Sequence, residues 1–271
     1  MPLASFRAVG FCGADDSVHP NLLGIFSQAY PLVEFGVLFR PDKTGQPRYP
    51  TLEWVERLSQ VAKRSHNPPM KLAAHLCGSH VNDVLLHQDP NDFLLQLQNW
   101  GFQRVQINAT AVNGVDTSKL AESVPGFLSI VAKYPLLEFI IQKNDETAPL
   151  WQGLLPALES EDGPKNVVML EDESKGTGVA AKSWPYQPRE NNHAVSVGFA
   201  GGIGPHNIRQ VLSDVQEAAA PNQRIWVDME SSLRSVKNGQ DIFDLEKCYQ
   251  VIDVSCDVGI MRHPSYLAQE E

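Results

Sequence analysis

Eight short apolar segments, separated by stretches with helical periodicity, constrain the fold of this chain more than any other feature. Their bounds are residues 8–12, 33–39, 71–76, 104–108, 136–141, 167–170, 194–200 and 224–228. Most of them are continuously apolar, which is typical of parallel strands covered on both faces. Eight strand–helix units in 271 residues predict an α/β chain of the (β/α)8 TIM-barrel class. A doubly wound open sheet is the alternative that the pattern also allows.

Helical spacing is clear in most of the gaps between these segments. Thr51 is placed to cap a helix whose apolar face carries Leu52, Val55, Leu58 and Val61. The other predicted helices cover residues 93–100, 120–134, 150–158, 208–218 and 243–252. We therefore expect one domain over residues 1–271, with the barrel at about 8–253 and a C-terminal tail at 254–271.

Charge, hydropathy and cysteine spacing limit the partners that we expect. The net charge is −10 and no long basic run offsets it, which argues against a nucleic-acid-binding surface. No apolar run reaches about 18 residues, so we expect no membrane partner. Cysteines at 12, 77, 248 and 256 lie far apart, which predicts reduced thiols in a cytoplasmic protein. We expect a monomer or homodimer whose partner is a small phosphorylated molecule.

The segment from Val195 to Leu212, VSVGFAGGIGPHNIRQVL, is the strongest candidate for a binding site. An apolar strand breaks at Gly201 and Gly202, and a helical pattern begins near Ile208. Such a turn directs backbone N–H groups and the positive end of a helix dipole at one point, which suits phosphate. TIM barrels bind phosphate after strands seven and eight, and Gly201 follows the seventh apolar segment.

Polar residues follow most of the predicted strands, at the end of a TIM barrel where catalysis takes place. They include Cys12, Arg40, His75, Cys77, Gln106, Asn108, Gln142, Lys143, Glu171, Asp172, Asp228, Glu230 and Ser231. We expect His75, Asn108 and Asp228 to contact substrate. Because His75, Cys77 and His80 match no closed zinc signature, and His80 is expected on a loop, we predict no metal and no cofactor.

Five motifs in order resemble the phosphoribosylanthranilate isomerase family of tryptophan biosynthesis. They are FCGADD, FRPDKTGQPRYP, KGTG, GFAGGIGPHN and WVDMESSLRS, and together they extend over most of the chain. The resemblance implies a barrel of the ribulose-phosphate-binding type. It also implies an Amadori rearrangement, in which a phosphoribosylamine opens and a proton leaves C2′ to give the ketose.

The resemblance assigns roles to individual positions. The family's general base corresponds to Cys12 and its general acid to Asp172, with Glu171 as a one-residue alternative. Arg48 corresponds to the arginine that holds the anthranilate carboxylate. Phosphate-binding glycines correspond to Gly176, Gly178, Gly201 and Gly202. The chemistry is reasonable for these residue types, since a thiolate stabilised by backbone dipoles can accept a proton and a buried carboxyl can remain protonated.

Departures from the family pattern occur at three strands. The third strand, residues 74–78 (AHLCG), does not follow the family's usual pattern and adds polar groups. Asn108 stands where the family's fourth strand has a histidine. After the eighth strand the family's Ser-Gly pair is replaced by Ser231 and Ser232, and we expect Ser231 and Arg234 to contribute to phosphate binding.

Three functions remain open at this point. The leading interpretation is an isomerase of a phosphorylated sugar or sugar-amine. The second is another phosphate-barrel reaction, a lyase or an epimerase; neither Lys71 nor Lys143 is clearly placed mid-strand for a Schiff base. The third is a barrel that binds a phosphorylated metabolite without catalysis.

Overall fold

Eight parallel strands close into a barrel in sequence order, β1 to β8, in the computed structural model of this chain. The structure describes residues 3–64, 68–172, 174–175, 177, 184–185 and 196–264. The strands are β1 Ser5–Cys12, β2 Val33–Phe39, β3 Lys71–Leu76, β4 Arg104–Ile107, β5 Glu138–Lys143, β6 Val167–Glu171, β7 Val197–Ala200 and β8 Arg224–Met229. The predicted TIM barrel is therefore confirmed, and the open sheet is wrong because β8 pairs with β1.

The predicted strand bounds agree with the structure to within three residues. Strands β2 and β3 have the predicted bounds, since both are mostly apolar and buried along almost their whole length. Strand β1 begins three residues earlier than expected because Ser5 and Phe6 pair with Arg224 and Ile225 of β8. Pairing with β8 therefore extends β1 into a partly polar segment. Apolar content alone does not predict this extension.

Eight α-helices surround the barrel within the described residues. They are α1 Pro20–Ala29, α2 Leu52–Ala62, α3 Ser79–Leu86, α4 Phe93–Trp100, α5 Val124–Lys133, α6 Ala148–Leu158, α7 Ile208–Ala218 and α8 Leu245–Asp257. Helix α2 begins as predicted, with the Thr51 hydroxyl accepting a 3.2 Å hydrogen bond from the Trp54 N–H. Helix α8 ends at Asp257, so helical structure extends three residues past the position where the tail was expected to begin.

A short hairpin after β8 is an element that the sequence pattern did not predict. Its strands, β9 Arg234–Lys237 and β10 Gln240–Phe243, are antiparallel. Asn238 and Gly239 connect them with φ of 53° and 77°, the left-handed pair that a tight hairpin turn requires. The hairpin lies beside the loop that follows β1, because the Phe243 N–H donates to the Ser17 hydroxyl.

Two groups of side chains fill the molecule, one between strands and helices and one inside the barrel. The outer group contains most of the apolar residues. The inner group is small: Ala8, Ile140, Val168, Leu170 and Trp226. At the N-terminal end of the strands, the Arg104 guanidinium lies 4.1 Å from the Trp226 ring centroid and 2.6 Å from the Glu34 carboxylate. The barrel interior is therefore packed around Trp226. Within the described ranges, no helix combines the length and apolarity needed to cross a bilayer.

Candidate functional site

A cavity of about 90 Å³ opens at the C-terminal ends of the barrel strands, several times the roughly 15 Å³ that one water molecule needs. Its lining comes from all eight strands or the loops that follow them. The residues are Cys12, Leu38, His75, Gln106, Asn108, Asn113, Gln142, Asp172, Ser174, Ala200, Gly201, Gly202, Ile203, Asp228, Met229, Glu230 and Ser231. This is the end of a TIM barrel that carries catalytic residues.

Strand alternation explains why these polar side chains meet. In β8, Trp226 belongs to the inner group, whereas Val227 packs in the outer core. Asp228, two residues after Trp226, therefore points inward again and lies closer to the cavity. On β1 the same alternation turns Ala8 inward, Val9 outward and the last residue, Cys12, inward. The inward strand residues of the lining, such as Cys12, His75 and Asp228, are thus the last inward positions of their strands.

Cys12, His75 and Asp228 form a compact buried group that we call the inner cluster. The Cys12 Sγ lies 3.8 Å from the His75 Nε2, and the nearest ligand-capable atoms of all three residues lie within 4.8 Å of one another. Two glycines leave the space that these groups occupy. A Cβ at Gly36 would lie 2.7 Å from the Cys12 Sγ, and a Cβ at Gly10 would overlap an Asp228 carboxylate oxygen.

Burial dominates the titration of the inner cluster. Removal from water, and after it the negative charge of Glu34, raise the pKa of Asp228 from 3.8 to about 7. Burial likewise raises the pKa of the Cys12 thiol well above its usual range, and the Asp228 charge adds to this effect. The His75 pKa falls to about 3, first through burial and then through the Arg104 charge. The imidazole is therefore neutral.

The directions of these pKa shifts correct one expectation from the sequence. A thiolate stabilised by backbone dipoles was expected at Cys12, but the structure buries its sulfur and places the carboxylates of Asp228, Glu230 and Glu34 near it. The uncomplexed thiol therefore keeps its proton at neutral pH. Asp228 is the member of the inner cluster that changes charge near neutrality.

Asp172 lies across the barrel, on the residue that follows β6. Its carboxylate accepts a 2.9 Å hydrogen bond from the Gln142 side-chain amide and another from the Ser174 hydroxyl. Glu171 points the other way and forms a 2.7 Å ion pair with Lys143. Of the two carboxylates that the sequence left open, Asp172 is the one that lines the cavity.

The turn after β7 contributes backbone to the cavity wall. Gly201 and Gly202 have φ of 115° and 59°, values that favour glycine. The Asn207 side chain holds the turn, because it donates a 3.0 Å hydrogen bond to the Gly202 carbonyl and accepts one from the Gly204 N–H. Within the described residues, the backbone N–H groups of Gly202 and Ile203 form no hydrogen bond. These donors suit an anion.

Arg48 lies at the rim of the cavity, where it contacts two residues of the lining. One of its guanidinium nitrogens is 3.0 Å from the Glu230 carboxylate and 3.0 Å from the Ser231 hydroxyl. Its φ is 78°, and its own N–H donates to the Asp15 carboxylate. The loop after β2 therefore holds this arginine next to the cavity, and Ser231, a predicted phosphate ligand, lies beside it.

Arg234 does not occupy the position that the sequence suggested. Its guanidinium donates to the Asp15 carboxylate at 2.7 Å, to the Gly13 carbonyl at 2.7 Å and to Asp241 at 2.8 Å. Its side chain is 3% exposed and does not line the cavity. The expectation that it contributes charge to phosphate is corrected, because the hairpin of β9 and β10 directs it to the loop after β1.

Asn108, a predicted substrate contact, lines the cavity together with Gln106. The Gln106 amide donates to the Asn108 carbonyl oxygen at 2.8 Å, and the Asn108 amide contacts the Cys77 sulfur at 3.4 Å. His80, expected on a loop, lies in α3 and stacks on the Phe93 ring at 3.9 Å. The predicted phosphate glycines Gly176 and Gly178 lie outside the described residues.

Two polar residues of the lining, Asn113 and Ser174, were not named from the sequence. Gln106, Gln142 and Glu230 were named among the polar residues that follow the strands, but the sequence assigned them no role. Ser174 lies two positions after Asp172, a spacing that lets a serine hydroxyl bond a carboxylate. For Asn113, which lies in a single-turn helix after β4, no signal in the sequence is evident.

Comparisons with known proteins show the fold and little more. No protein-family model matches the sequence, and no curated protein is significantly similar to it. A Rubisco-like protein from Rhodopseudomonas palustris aligns with a TM-score of 0.51 and 13% identity, over 96% of this chain and 65% of that chain. An AP endonuclease, family 2, from Brucella melitensis aligns with a TM-score of 0.43 and 12% identity, over 84% of this chain and 93% of that chain. The first alignment, which spans just under two thirds of the Rubisco-like protein, supports the TIM barrel alone.

Proposed function

We propose that this protein isomerises a phosphorylated sugar or sugar-amine in the cavity at the C-terminal end of its barrel. One observation carries the proposal: Cys12 and Asp228, the opposing Asp172, and the Gly201–Gly202 turn all line the same cavity. A proton acceptor, a proton donor and an anion-binding turn are the three components that such a reaction requires. The motif resemblance to phosphoribosylanthranilate isomerase supports the same reaction class.

The base in this proposal is the Cys12–Asp228 pair, which carries one negative charge when Asp228 is ionised. Because the pKa of Asp228 is raised to about 7, its carboxylate is present at neutral pH and still basic enough to accept a proton. In the reaction, the C2–H bond of the open-chain imine or aldehyde breaks and its proton moves to this pair. The electron pair left behind forms the C1=C2 bond while N1 or O1 takes up a proton from solvent, which gives the enaminol or enediol. A proton returned to C1, together with loss of the O2 hydroxyl proton, completes the ketose.

Asp172 serves as the proton donor to the sugar ring oxygen when the ring opens. Its environment accommodates both protonation states. The Gln142 amide donates to one carboxyl oxygen throughout, whereas the Ser174 hydroxyl on the other oxygen can either donate a hydrogen bond or accept one. Gln142 and Ser174 therefore hold the carboxyl in place while its proton is transferred.

The phosphate group of the substrate is bound by the turn after β7. The N–H groups of Gly202 and Ile203, which form no hydrogen bond within the described residues, donate to its oxygens, and Ser231 contributes a hydroxyl from the neighbouring loop. Register supports this placement, because Ala200, immediately before the turn, pairs with Asp228 of β8. Phosphate and the reacting carbon are thus held on adjacent strands.

A Schiff-base lyase is the weaker alternative, since the lining residues that the structure describes include no lysine. The Lys143 ammonium pairs with Glu171, and Lys71 donates to the Arg7 carbonyl at the other end of the barrel. Neither amine reaches the cavity, so acid–base isomerisation remains the function that the geometry favours.

Turnover tests the proposal directly. Purified protein is incubated with phosphoribosylanthranilate, with phosphorylated aldopentoses and with their amines, and ketose formation is measured. We expect turnover on at least one substrate, loss of kcat in Cys12→Ser and Asp172→Asn, and near-wild-type kcat in Cys248→Ser, a matched control at a buried thiol of α8 outside the lining. If no phosphorylated aldose or aldosylamine is converted, the proposal is wrong.

A further inference from the structure

We propose that the inner cluster of Cys12, His75 and Asp228 is a binding site for one thiophilic divalent cation of the Zn²⁺ class. The proposal goes beyond the isomerase function, and the binding does not depend on it. It rests on the spacing of three ligand atoms, on a buried carboxylate whose oxygens have no hydrogen-bond partner of ordinary geometry within the described residues, and on the space that two glycines leave.

The spacing of the ligand atoms suits a tetrahedral centre. With typical Zn–S and Zn–N bonds of about 2.3 and 2.0–2.1 Å, a tetrahedral angle separates the sulfur and nitrogen by roughly 3.6 Å. In the structure the Cys12 Sγ and the His75 Nε2 are 3.8 Å apart. The Asp228 carboxylate oxygen completes the set, with all separations within 4.8 Å. A small side-chain movement is sufficient for all three to reach one ion.

Asp228 provides an independent indication of a missing ligand. It is 5% exposed, and within the described residues neither of its carboxylate oxygens has a hydrogen-bond partner of ordinary geometry. An isolated buried carboxylate is costly, and buried charges are generally paired or bound to metal. A cation between Asp228 and Cys12 supplies that counter-charge.

The glycines beside the inner cluster keep it free of other side chains. A Cβ at Gly36 would lie within 3.0 Å of both Cys12 and His75, at the place where the sulfur and imidazole approach each other. All three ligand residues also line the open cavity, so an ion has a path of entry.

The donor set determines the class of cation. Thiolate with imidazole favours Zn²⁺, Co²⁺ or Cd²⁺ over Mg²⁺ and Ca²⁺, which prefer oxygen ligands. Three protein ligands leave the fourth tetrahedral position open toward the cavity, for water or a ligand oxygen. Binding releases the Cys12 thiol proton to solvent, and the resulting thiolate and the carboxylate together neutralise the two positive charges of the ion.

One consequence rests on the proposed function. The ion occupies the lone pairs of both Cys12 and Asp228, which are the groups proposed to accept the substrate proton. Zinc therefore inhibits isomerisation, and a chelator restores it. The cation therefore inhibits the proposed base and takes no part in the reaction.

Cobalt titration of the full chain tests the binding without any measurement of turnover. Protein stripped of metal with a chelator is titrated with Co²⁺, and the thiolate-to-cobalt charge-transfer absorption in the near ultraviolet is recorded. We expect one equivalent to bind, and we expect Zn²⁺ to abolish the band by displacement.

Variants identify the ligands. Cys12→Ala is expected to lose the band, and His75→Gln and Asp228→Asn to weaken cobalt binding by about tenfold or more. Cys77→Ala, which removes a neighbouring buried thiol outside the inner cluster, is expected to keep both the band and the affinity. Circular dichroism and urea unfolding verify that each variant is folded.

Three results would overturn the proposal: no band in the wild-type protein, a band that persists in Cys12→Ala, or a band lost in folded Cys77→Ala. Because these readouts require no substrate, they separate failure of the metal site from failure of the isomerase proposal. A protein that binds cobalt but converts no sugar phosphate supports this site and refutes the other proposal.

Discussion

Replacement of Asp228 by asparagine is expected to change the pH dependence of stability in a specific way. The carboxyl has a pKa of about 7 in the folded protein and an ordinary value of 3.8, a rise of roughly three units. At 1.36 kcal/mol per unit, the folded state disfavours the ionised form by about 4 kcal/mol. The cost arises mainly from burial, and the Glu34 charge adds to it.

The sign follows from proton binding. Between pH 3.8 and about 7 the folded state holds the Asp228 proton more tightly than the unfolded state does, so stability falls as the pH rises through this window. From pH 5 to pH 8 the free energy of unfolding falls by about 3 kcal/mol, since roughly two pH units lie between pH 5 and the pKa of about 7. An asparagine has no proton to lose, so this decline disappears in Asp228→Asn.

Urea unfolding at pH 5, 6, 7 and 8 measures the effect. The free energy of unfolding of Asp228→Asn, relative to that of the wild type, should increase by about 3 kcal/mol from pH 5 to pH 8. Any constant cost of burying the amide cancels in this difference. Asp162→Asn, at an exposed turn residue, serves as the matched control and should show no such trend. A relative stability of Asp228→Asn that is independent of pH would refute the reasoning.

Three further predictions concern neighbouring positions. Gly36→Ala should lower kcat by an order of magnitude or more, because the added Cβ would lie 2.7 Å from the Cys12 Sγ; steady-state kinetics on protein verified as folded by circular dichroism checks this. Arg234→Met should cost about 3–5 kcal/mol in urea unfolding, because it removes the guanidinium that pairs with the buried Asp15 carboxylate; phosphate affinity of the folded variant should be unchanged, and a specific loss of that affinity would contradict the assignment. Gly201→Ala should weaken inorganic phosphate binding, measured by calorimetry, because its φ of 115° strains any residue with a Cβ; unchanged affinity would place the anion elsewhere.

The fold followed from the sequence because the strands of a parallel barrel are buried on both faces. Strand β2, VEFGVLF, is buried at every position and its bounds were predicted correctly. The helices α4 and α7 also have the predicted bounds, since each has apolar residues at helical spacing. Gly101 follows α4 directly, and Pro221 lies three residues after the end of α7. What the pattern could not show is the hairpin of β9 and β10, whose strands are short and largely polar.

The position of the site was predictable, but its electrostatics were not. Strand alternation places Cys12, His75 and Asp228 at the last inward positions of three strands, which a reader of the sequence can count. The protonation of the thiol, in contrast, depends on carboxylates brought from distant parts of the chain. The position of Arg234 was missed for a similar reason, because its partner Asp15 is 219 residues away.

Deuterium incorporation tests the central claim most directly. A phosphorylated aldose, or the corresponding glycosylamine, is incubated with the protein in D₂O, and NMR follows the substrate C2 hydrogen and the C1 hydrogens of the product. Because the cavity is open, the proton taken up by the Cys12–Asp228 pair exchanges with D₂O before it is returned. The proposed mechanism therefore predicts deuterium at C1 of the product and no incorporation with Asp228→Asn. A C1 hydrogen that comes entirely from the substrate C2 position, or incorporation that is unchanged in Asp228→Asn, would contradict proton transfer by the groups at this cavity.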